Sequence, residues 1–93
     1  MDRVLDDVRK ERHRQNEKWG TQRHTFPLWV CILGEEMGEV SKAALELEVI
    51  AINAETPELF ESYTRDLREE LIQTAAVACQ IVEHIDEVLS ENR

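Results

Sequence analysis

The sequence predicts an all-α fold in which a bundle of long helices is completed by oligomerisation around a four-helix-type core. The chain has only three glycines and two prolines, and it is rich in Glu, Leu and Ala, which favour helices. Apolar residues recur at helical spacing. The middle of the last predicted helix is apolar nearly all round, and such a helix is buried on every side. Because a three-helix monomer cannot provide that burial, we expect a homodimer or a homotetramer.

Length and charge limit the functions that we consider. The 93 residues form one domain, 1–93, and their net charge is −9, which argues against a nucleic-acid partner because such proteins need a basic surface. No stretch approaches the roughly 20 apolar residues of a membrane span. No apolar run follows Met1, Asp2 and Arg3, so we expect no signal peptide. Cys31 and Cys79 lie in apolar helical stretches, so we expect reduced core cysteines in a cytoplasmic protein.

Residues that start and end helices divide the chain into three. Gly20 ends the first helix, and Thr25 and Pro27 are typical of the start of the second. Thr56 and Pro57 mark the start of the third in the same way. The predicted helices cover residues 2–18, 27–53 and 57 to about 90, with a loop at 19–26 and a turn at 53–55.

Helical spacing also predicts which residues form the core. On the second helix the core stripe is Val30, Leu33, Met37, Val40, Ala44 and Leu47, bordered by Ile32, Glu36, Glu39 and Ala43. On the third helix it is Leu67, Leu71, Ala75, Ala78, Val82, Ile85 and Leu89. Gly34 and Gly38 leave a groove that another helix can approach. The charged run from Arg9 to Lys18 is either a solvated face or a set of groups pointing at an anionic ligand.

Two acidic turns are the most informative feature of the sequence. Glu35, Glu36 and Glu39 lie within five positions of an apolar run, and Glu36 and Glu39 share a helix face with Cβ atoms about 5–6 Å apart. Burying these charges without a partner would be costly. A second acidic turn at Glu69 and Glu70 leads into the apolar part of the third helix. Two such turns facing each other would form an oxygen-lined cage of the kind that hard divalent cations prefer.

These motifs resemble the small MazG-like proteins of the all-α nucleoside triphosphate pyrophosphohydrolases. That family has EExxE on one helix and ExxD on a later one. Here the first motif is Glu35-Glu36-Met37-Gly38-Glu39, and the second is Glu70-Leu71-Ile72-Gln73, with Gln in place of Asp. Residues 11–20 are similar to the ER-x-RQ-x-x-KWG stretch of MazG-like sequences, and the likeness extends to about residue 85.

The resemblance implies a reaction and a set of catalytic groups. It implies cleavage of a nucleoside triphosphate between the α and β phosphates, with Mg²⁺ or alternatively Mn²⁺, in control of the nucleotide pool. Glu36, Glu39 and Glu70 would be metal ligands, and Glu35 would bind a further metal or orient the attacking water. Gln73 can bind Mg²⁺ through its amide oxygen but contributes no charge, which leaves a weakened or altered enzyme open.

The resemblance also implies a substrate-binding group and leaves alternatives. Aromatic and His residues near the loop, Trp19, His24 and Trp29, would enclose the base and sugar, although both tryptophans also fit a core or an interface. Candidate phosphate contacts are Arg14, Lys18 and Arg68, although each also fits a plain surface charge. Neither His13 nor His84 shows a functional pattern, and His84, on an acidic helix face, is expected in solvent. Two alternatives remain: an enzyme acting on phosphoribosyl-ATP, and a non-catalytic helical interaction module of the same fold.

Overall fold

The computed structural model describes residues 1–53 and 56–91, and within them the chain forms three α-helices and no strand. Helix α1 spans Asp2–Trp19, α2 spans Phe26–Ile52 and α3 spans Pro57–Glu91. The predicted all-α class is confirmed, and each helix end lies within one residue of its predicted position. Residues 54 and 55 of the predicted turn lie outside the described residues.

The helix ends follow from the residues found there. Gly20 has a φ of 71°, a left-handed conformation that glycine adopts without steric cost, and its N–H donates to the Asn16 carbonyl to close α1. Thr25 occupies the N-cap of α2 in an extended conformation, and Pro27 follows in the first turn. The Thr56 hydroxyl accepts a hydrogen bond from the Leu59 N–H at 3.3 Å, which satisfies one of the free donors at the start of α3.

Helix α3 is the central element of the fold. It packs against both α1 and α2, whereas the backbones of α1 and α2 do not approach each other within the described residues. The middle of α3 is therefore covered on two sides by its own chain, where Thr74, Ala76, Val77 and Gln80 are buried. Opposite them, α2 buries Trp29 and Val40. Two of the buried α3 residues are polar, so this core is not a simple apolar stripe.

The face of α2 that meets α3 differs from the predicted one. Val40 is buried as predicted, but Val30 is 63% exposed and Met37 is 46% exposed. Trp29, rather than Val30, begins the inward face. The predicted core face of α2 was therefore partly wrong. Because α2 has apolar side chains on several faces, their spacing alone does not show which face packs against α3.

The predicted stripe of α3 is also open over much of its length. Leu71, Val82, Ile85 and Leu89 are all exposed. Gly34 on α2 is open too, since nothing lies within 4 Å of where its Cβ would be, and the same holds for Gly38. Within the described part of the chain, these apolar faces of α2 and α3 meet no other helix.

Ion pairs join α1 to α3 along the charged face of α1. Arg12 donates to both carboxylate oxygens of Glu83, at 3.2 and 3.3 Å, and Arg68 donates to Asp7 at 2.7 Å. The Arg68 guanidinium is thus paired with a carboxylate of α1. Exposed pairs of this kind contribute about 0–1 kcal/mol each, so they orient α1 more than they stabilise it.

Both cysteines were predicted to be core residues, and that prediction was wrong. Cys31 and Cys79 are free thiols on the exposed faces of α2 and α3. An apolar neighbourhood in the sequence does not bury a residue when the helix has several apolar faces. Among the described helices, none is both long and apolar enough to cross a membrane.

Candidate functional site

A cavity of about 270 Å³ lies where the end of α1 and the following loop meet α2 and α3. Both tryptophans and all four glutamines of the sequence line it. We call it the amide cavity, and its lining residues are Arg14, Gln15, Trp19, Gly20, Gln22, His24, Trp29, Ile32, Glu36, Gln73, Val77 and Gln80.

The amide cavity brings together side chains that are far apart in the sequence. Arg14, Trp19 and His24 come from α1 and the loop, and they meet Trp29 of α2. The Lys18 ammonium does not line the cavity but lies 4.6 Å from the centroid of the Trp19 ring, in cation–π contact. The loop is tied to α3 by Arg23, whose Nε donates to Glu87 at 2.8 Å. The three residues predicted to enclose the base, Trp19, His24 and Trp29, therefore line the same cavity.

Trp29 forms the fixed wall of the cavity. It is 1% exposed, and its Nε1–H donates to Nδ1 of His84 at 2.8 Å. The His24 ring meets it edge-on at 4.7 Å between centroids, and Phe26 packs against His84 at 5.2 Å. His84 was predicted to lie in solvent, and that prediction was wrong. The imidazole of His84 thus holds the Trp29 ring in place through this hydrogen bond.

The carboxylates of the two acidic turns form a cluster across α2 and α3. Burial raises the pKa of Glu36 above its ordinary value, and the neighbouring charges of Glu39, Glu11 and Glu35 raise it further. Burial also raises the pKa of Glu70, with Glu39 and Glu36 adding to the effect. Glu39 of α2 and Glu70 of α3 line one groove, and Glu36 precedes Glu39 by one helical turn. We call Glu36, Glu39 and Glu70 the carboxylate cluster.

An acidic groove of about 180 Å³ lies beside Glu39 and Glu70, the outer members of the carboxylate cluster. Its other lining residues are Lys42, Ala43, Glu46, Asp66 and Glu69. Glu36, one turn before Glu39 on α2, instead lines the amide cavity together with Gln73. Glu35 is exposed and lines neither. Glu36 therefore stands in the wall of the amide cavity, one helical turn from Glu39 of the groove.

The donor set of the carboxylate cluster fits a hard divalent cation. Its side chains offer only oxygen atoms, which Mg²⁺ prefers. Burial first and neighbouring carboxylates second raise the pKa of Glu36 and Glu70, and a cation would relieve the repulsion. Among the described residues, however, no three His, Cys, Asp or Glu side chains already stand close enough to hold an ion. Metal binding would therefore have to draw the flexible glutamate side chains together.

Several residues of the site were not predicted. Gln15, Gln22 and Gln80 line the amide cavity, and Glu11 holds its rim. Glu11 accepts from Arg14 at 2.8 and 2.6 Å and from Gln15 at 3.0 Å, and the Arg14 hydrogen bond is the main reason that the pKa of Glu11 is lowered. One signal was available in the sequence, because Gln73 and Gln80 are seven residues apart and share a face of α3.

Comparison of the chain with protein-family models, with curated proteins and with solved structures finds no match.

Proposed function

We propose that the chain is a Mg²⁺-dependent nucleoside triphosphate pyrophosphohydrolase, which converts a ribo- or deoxyribonucleoside triphosphate and water into the monophosphate and pyrophosphate. One observation carries the proposal: Glu36 belongs both to the wall of the amide cavity and to the carboxylate cluster. A ligand with an uncharged, planar end in the cavity would extend its other end toward Glu39 and Glu70. A nucleoside triphosphate has this form.

The lining of the amide cavity suits the base end of such a substrate. Trp29 and Trp19 offer ring faces on which any base can stack, and His24 lies against Trp29. Arg14 in the cavity lining and Lys18 beside the Trp19 ring would offset phosphate charge. Because Arg14 is held by Glu11, its guanidinium is oriented before a ligand arrives.

The carboxylate cluster suits the phosphate end only with a cation. Bound Mg²⁺, with Mn²⁺ as the alternative, would neutralise phosphate charge and acidify the attacking water. Glu36, Glu39 and Glu70 would hold the ion through carboxylate oxygens, and Gln73 through its amide oxygen. A carboxylate oxygen of Glu35 would orient the water and accept its proton. Burial and neighbouring carboxylates raise the pKa of Glu36 and Glu70, and a bound cation would offset the repulsion between these carboxylates.

We further propose that the chain works as a homodimer or a homotetramer in the cytoplasm, where nucleoside triphosphates are found. The support is the set of apolar side chains left open on α2 and α3, including Val30, Met37, Leu71 and Val82. A second copy would cover such faces. It would also approach Gly34 and Gly38, where there is room for a helix.

A second candidate function is a helical interaction module that has lost catalysis. Two observations favour it: Gln73 replaces a charged ligand, and the described carboxylates do not form a ready three-ligand metal group. The two candidates differ in one measurable respect, since only the enzyme releases pyrophosphate.

The test is product analysis with each of the eight common ribo- and deoxyribonucleoside triphosphates and Mg²⁺. We expect monophosphate and pyrophosphate from at least one substrate, and loss of both products in Glu36→Gln and Glu39→Gln. The matched control is Glu48→Gln, which makes the same change at an exposed position of α2 away from both cavities.

Two results would contradict the proposal. Formation of diphosphate and orthophosphate would mean that a different bond is cleaved. Absence of turnover with either Mg²⁺ or Mn²⁺, and again in Gln73→Asp, would favour the interaction module. Equal loss of activity in Glu48→Gln would show that the effect of the other variants is not specific to the carboxylate cluster.

A further inference from the structure

Gln80 is the most unusual polar residue of the fold. It lies in the middle of α3 and is only 4% exposed, in a segment where Ala76 and Val77 are also buried. Among the described residues, its side-chain amide has no hydrogen-bond partner, yet no fully enclosed side-chain nitrogen or oxygen is left unpaired. The Gln80 amide must therefore open onto the amide cavity that it lines.

A purely structural role does not explain this amide. An apolar side chain of similar size would fill the same space between Ala76 and Val77 without placing a polar amide among buried apolar residues. Nearby Gln15, which is also buried, is accounted for because its Nε2 donates to Glu11 at 3.0 Å. The Gln80 amide therefore has a free hydrogen-bond donor and a free acceptor, and both are available to a ligand that enters the amide cavity.

The surroundings of Gln80 define what that ligand would be. Trp29, Ile32 and Val77 give the inner cavity uncharged walls, so an anionic group is not favoured there. A Gln amide forms two parallel hydrogen bonds with a planar partner that presents an adjacent donor and acceptor. A nucleobase stacked on an indole ring has these properties.

The position of Gln80 along α3 also fits a substrate whose base lies in the amide cavity and whose phosphates extend toward Glu70. Gln80, Val77, Gln73 and Glu70 follow one another at spacings of three and four residues, which places them on one face of the helix. At 1.5 Å per residue, Gln80 and Glu70 are separated by about 15 Å along the helix axis. A ligand that contacts both must be long, with an uncharged end at Gln80 and an anionic end toward Glu70.

We propose that Gln80 is the residue that recognises the base, through paired hydrogen bonds from its amide to the base edge. This inference rests on the proposed function, because it assigns the base end of the same substrate. It makes Gln80 a specificity-determining residue: bases that fit the amide bind tightly, and a ligand without a base does not.

The test measures equilibrium binding without divalent cations or turnover. AMP, CMP, GMP, UMP and ribose 5-phosphate are titrated into the protein by calorimetry, and tryptophan fluorescence is followed because both indole rings line the cavity. We expect one monophosphate to bind at least about tenfold more tightly than ribose 5-phosphate. In Gln80→Leu we expect that preference to fall about tenfold or more, while the melting temperature stays equal or rises.

Asn16→Leu is the control, since it removes an exposed amide on α1 that does not line the amide cavity. It should keep the wild-type preference. Gln80→Glu, which replaces the amide donor with an acceptor, should change the ranking of the four bases rather than abolish binding of all of them.

The inference is overturned if Gln80→Leu keeps the wild-type affinities and base ranking, or if the wild-type protein binds no monophosphate more tightly than ribose 5-phosphate. The proposed function is tested separately by pyrophosphate release. A protein that binds bases through Gln80 but releases no pyrophosphate would keep the inference and lose the proposed reaction. An active enzyme whose base preference does not depend on Gln80 would keep the proposed reaction and overturn the inference about Gln80.

Discussion

The amide cavity and the carboxylate cluster are built from the same two helices, but the chain prepares them differently. Trp29 and Gln80 are almost fully buried in the cavity, and the Trp29–His84 hydrogen bond fixes its wall. In the cluster, burial raises the pKa of Glu36 and Glu70, and neighbouring carboxylates raise it further. The cavity is preformed, whereas the cluster is strained electrostatically until something neutralises it. Trp29 therefore serves both stability and binding in the cavity, whereas the carboxylates of the cluster serve binding at a cost in stability.

The largest expected effect tests the preformed cavity. Trp29→Ala removes the one large side chain that is fully buried among the described residues, and we expect it to lower the free energy of unfolding by about 3–5 kcal/mol. Urea unfolding followed by circular dichroism measures the change. Trp19→Ala is the matched control, because Trp19 lines the same cavity but is half exposed. Equal destabilisation by the two variants would show that Trp29 has no special structural role.

The next effect tests the cluster. Glu70→Gln removes one charge from the proposed metal site, and we expect kcat/KM for triphosphate hydrolysis to fall about 100-fold or more, since even outer groups around a metal typically contribute 10–100-fold. Steady-state pyrophosphate release at several Mg²⁺ concentrations measures it. The variant should stay folded, with a melting temperature no lower than wild type without Mg²⁺. A Glu70→Gln enzyme with wild-type kcat/KM would remove Glu70 from the site.

A smaller effect concerns the residue behind the cavity wall. His84→Leu leaves the Trp29 Nε1–H without its partner, and we expect a loss of about 1–3 kcal/mol in the free energy of unfolding. Nucleotide binding should weaken as well, because Trp29 is freed to move. His13→Leu, at an exposed position of α1, serves for comparison in the same urea experiments. If the two histidine variants were equally stable, the hydrogen bond would contribute nothing.

The smallest effect is the pH dependence of stability in the cluster. Glu36 has a higher pKa in the folded protein than its ordinary value of 4.5, so its ionisation disfavours folding. The unfavourable contribution is absent below pH 4.5 and grows as the pH rises through the raised pKa. We therefore expect Glu36→Gln to melt at a higher temperature than wild type at pH 7 without divalent ions, and the difference to shrink toward pH 4.5.

Thermal melts across this pH range, with Glu48→Gln as the control, measure the effect. Added Mg²⁺ should stabilise the wild-type protein and reverse the order, because a ligand that binds only the folded state stabilises it. A Glu36→Gln protein that is less stable than wild type at pH 7 without divalent ions would contradict the account of the cluster.

The sequence predicted the helix ends well, because Gly20, the Thr25–Pro27 segment and the Thr56–Pro57 pair act locally. It predicted the inward face of α2 poorly. Val30 and Trp29 are adjacent and both apolar, and only the path of α3 decides which of them is covered. Residues that start or end a helix act locally, so a single sequence predicts the helix ends. Which of several apolar faces is buried depends on tertiary packing, which a single sequence does not show.

The same contrast applies to the site. Glu36 and Glu39 could be placed together because helix geometry fixes residues three apart. Their closeness to Glu70 depends on the register of α2 against α3, which spacing does not give. Gln80 was missed because one amide in an apolar run is a small interruption of the pattern. Only its burial and its position in the lining of the amide cavity indicate a role in binding.

The central claim is that the amide cavity and the carboxylate cluster hold two ends of one molecule. The most direct measurement is the affinity for a nucleoside triphosphate with a non-hydrolysable α,β linkage, with and without Mg²⁺, in wild type and Glu36→Gln. We predict that Mg²⁺ tightens binding about tenfold or more in wild type only, while both proteins bind the monophosphate alike. Equal Mg²⁺ enhancement in both proteins, or none in either, would contradict a single site joined at Glu36.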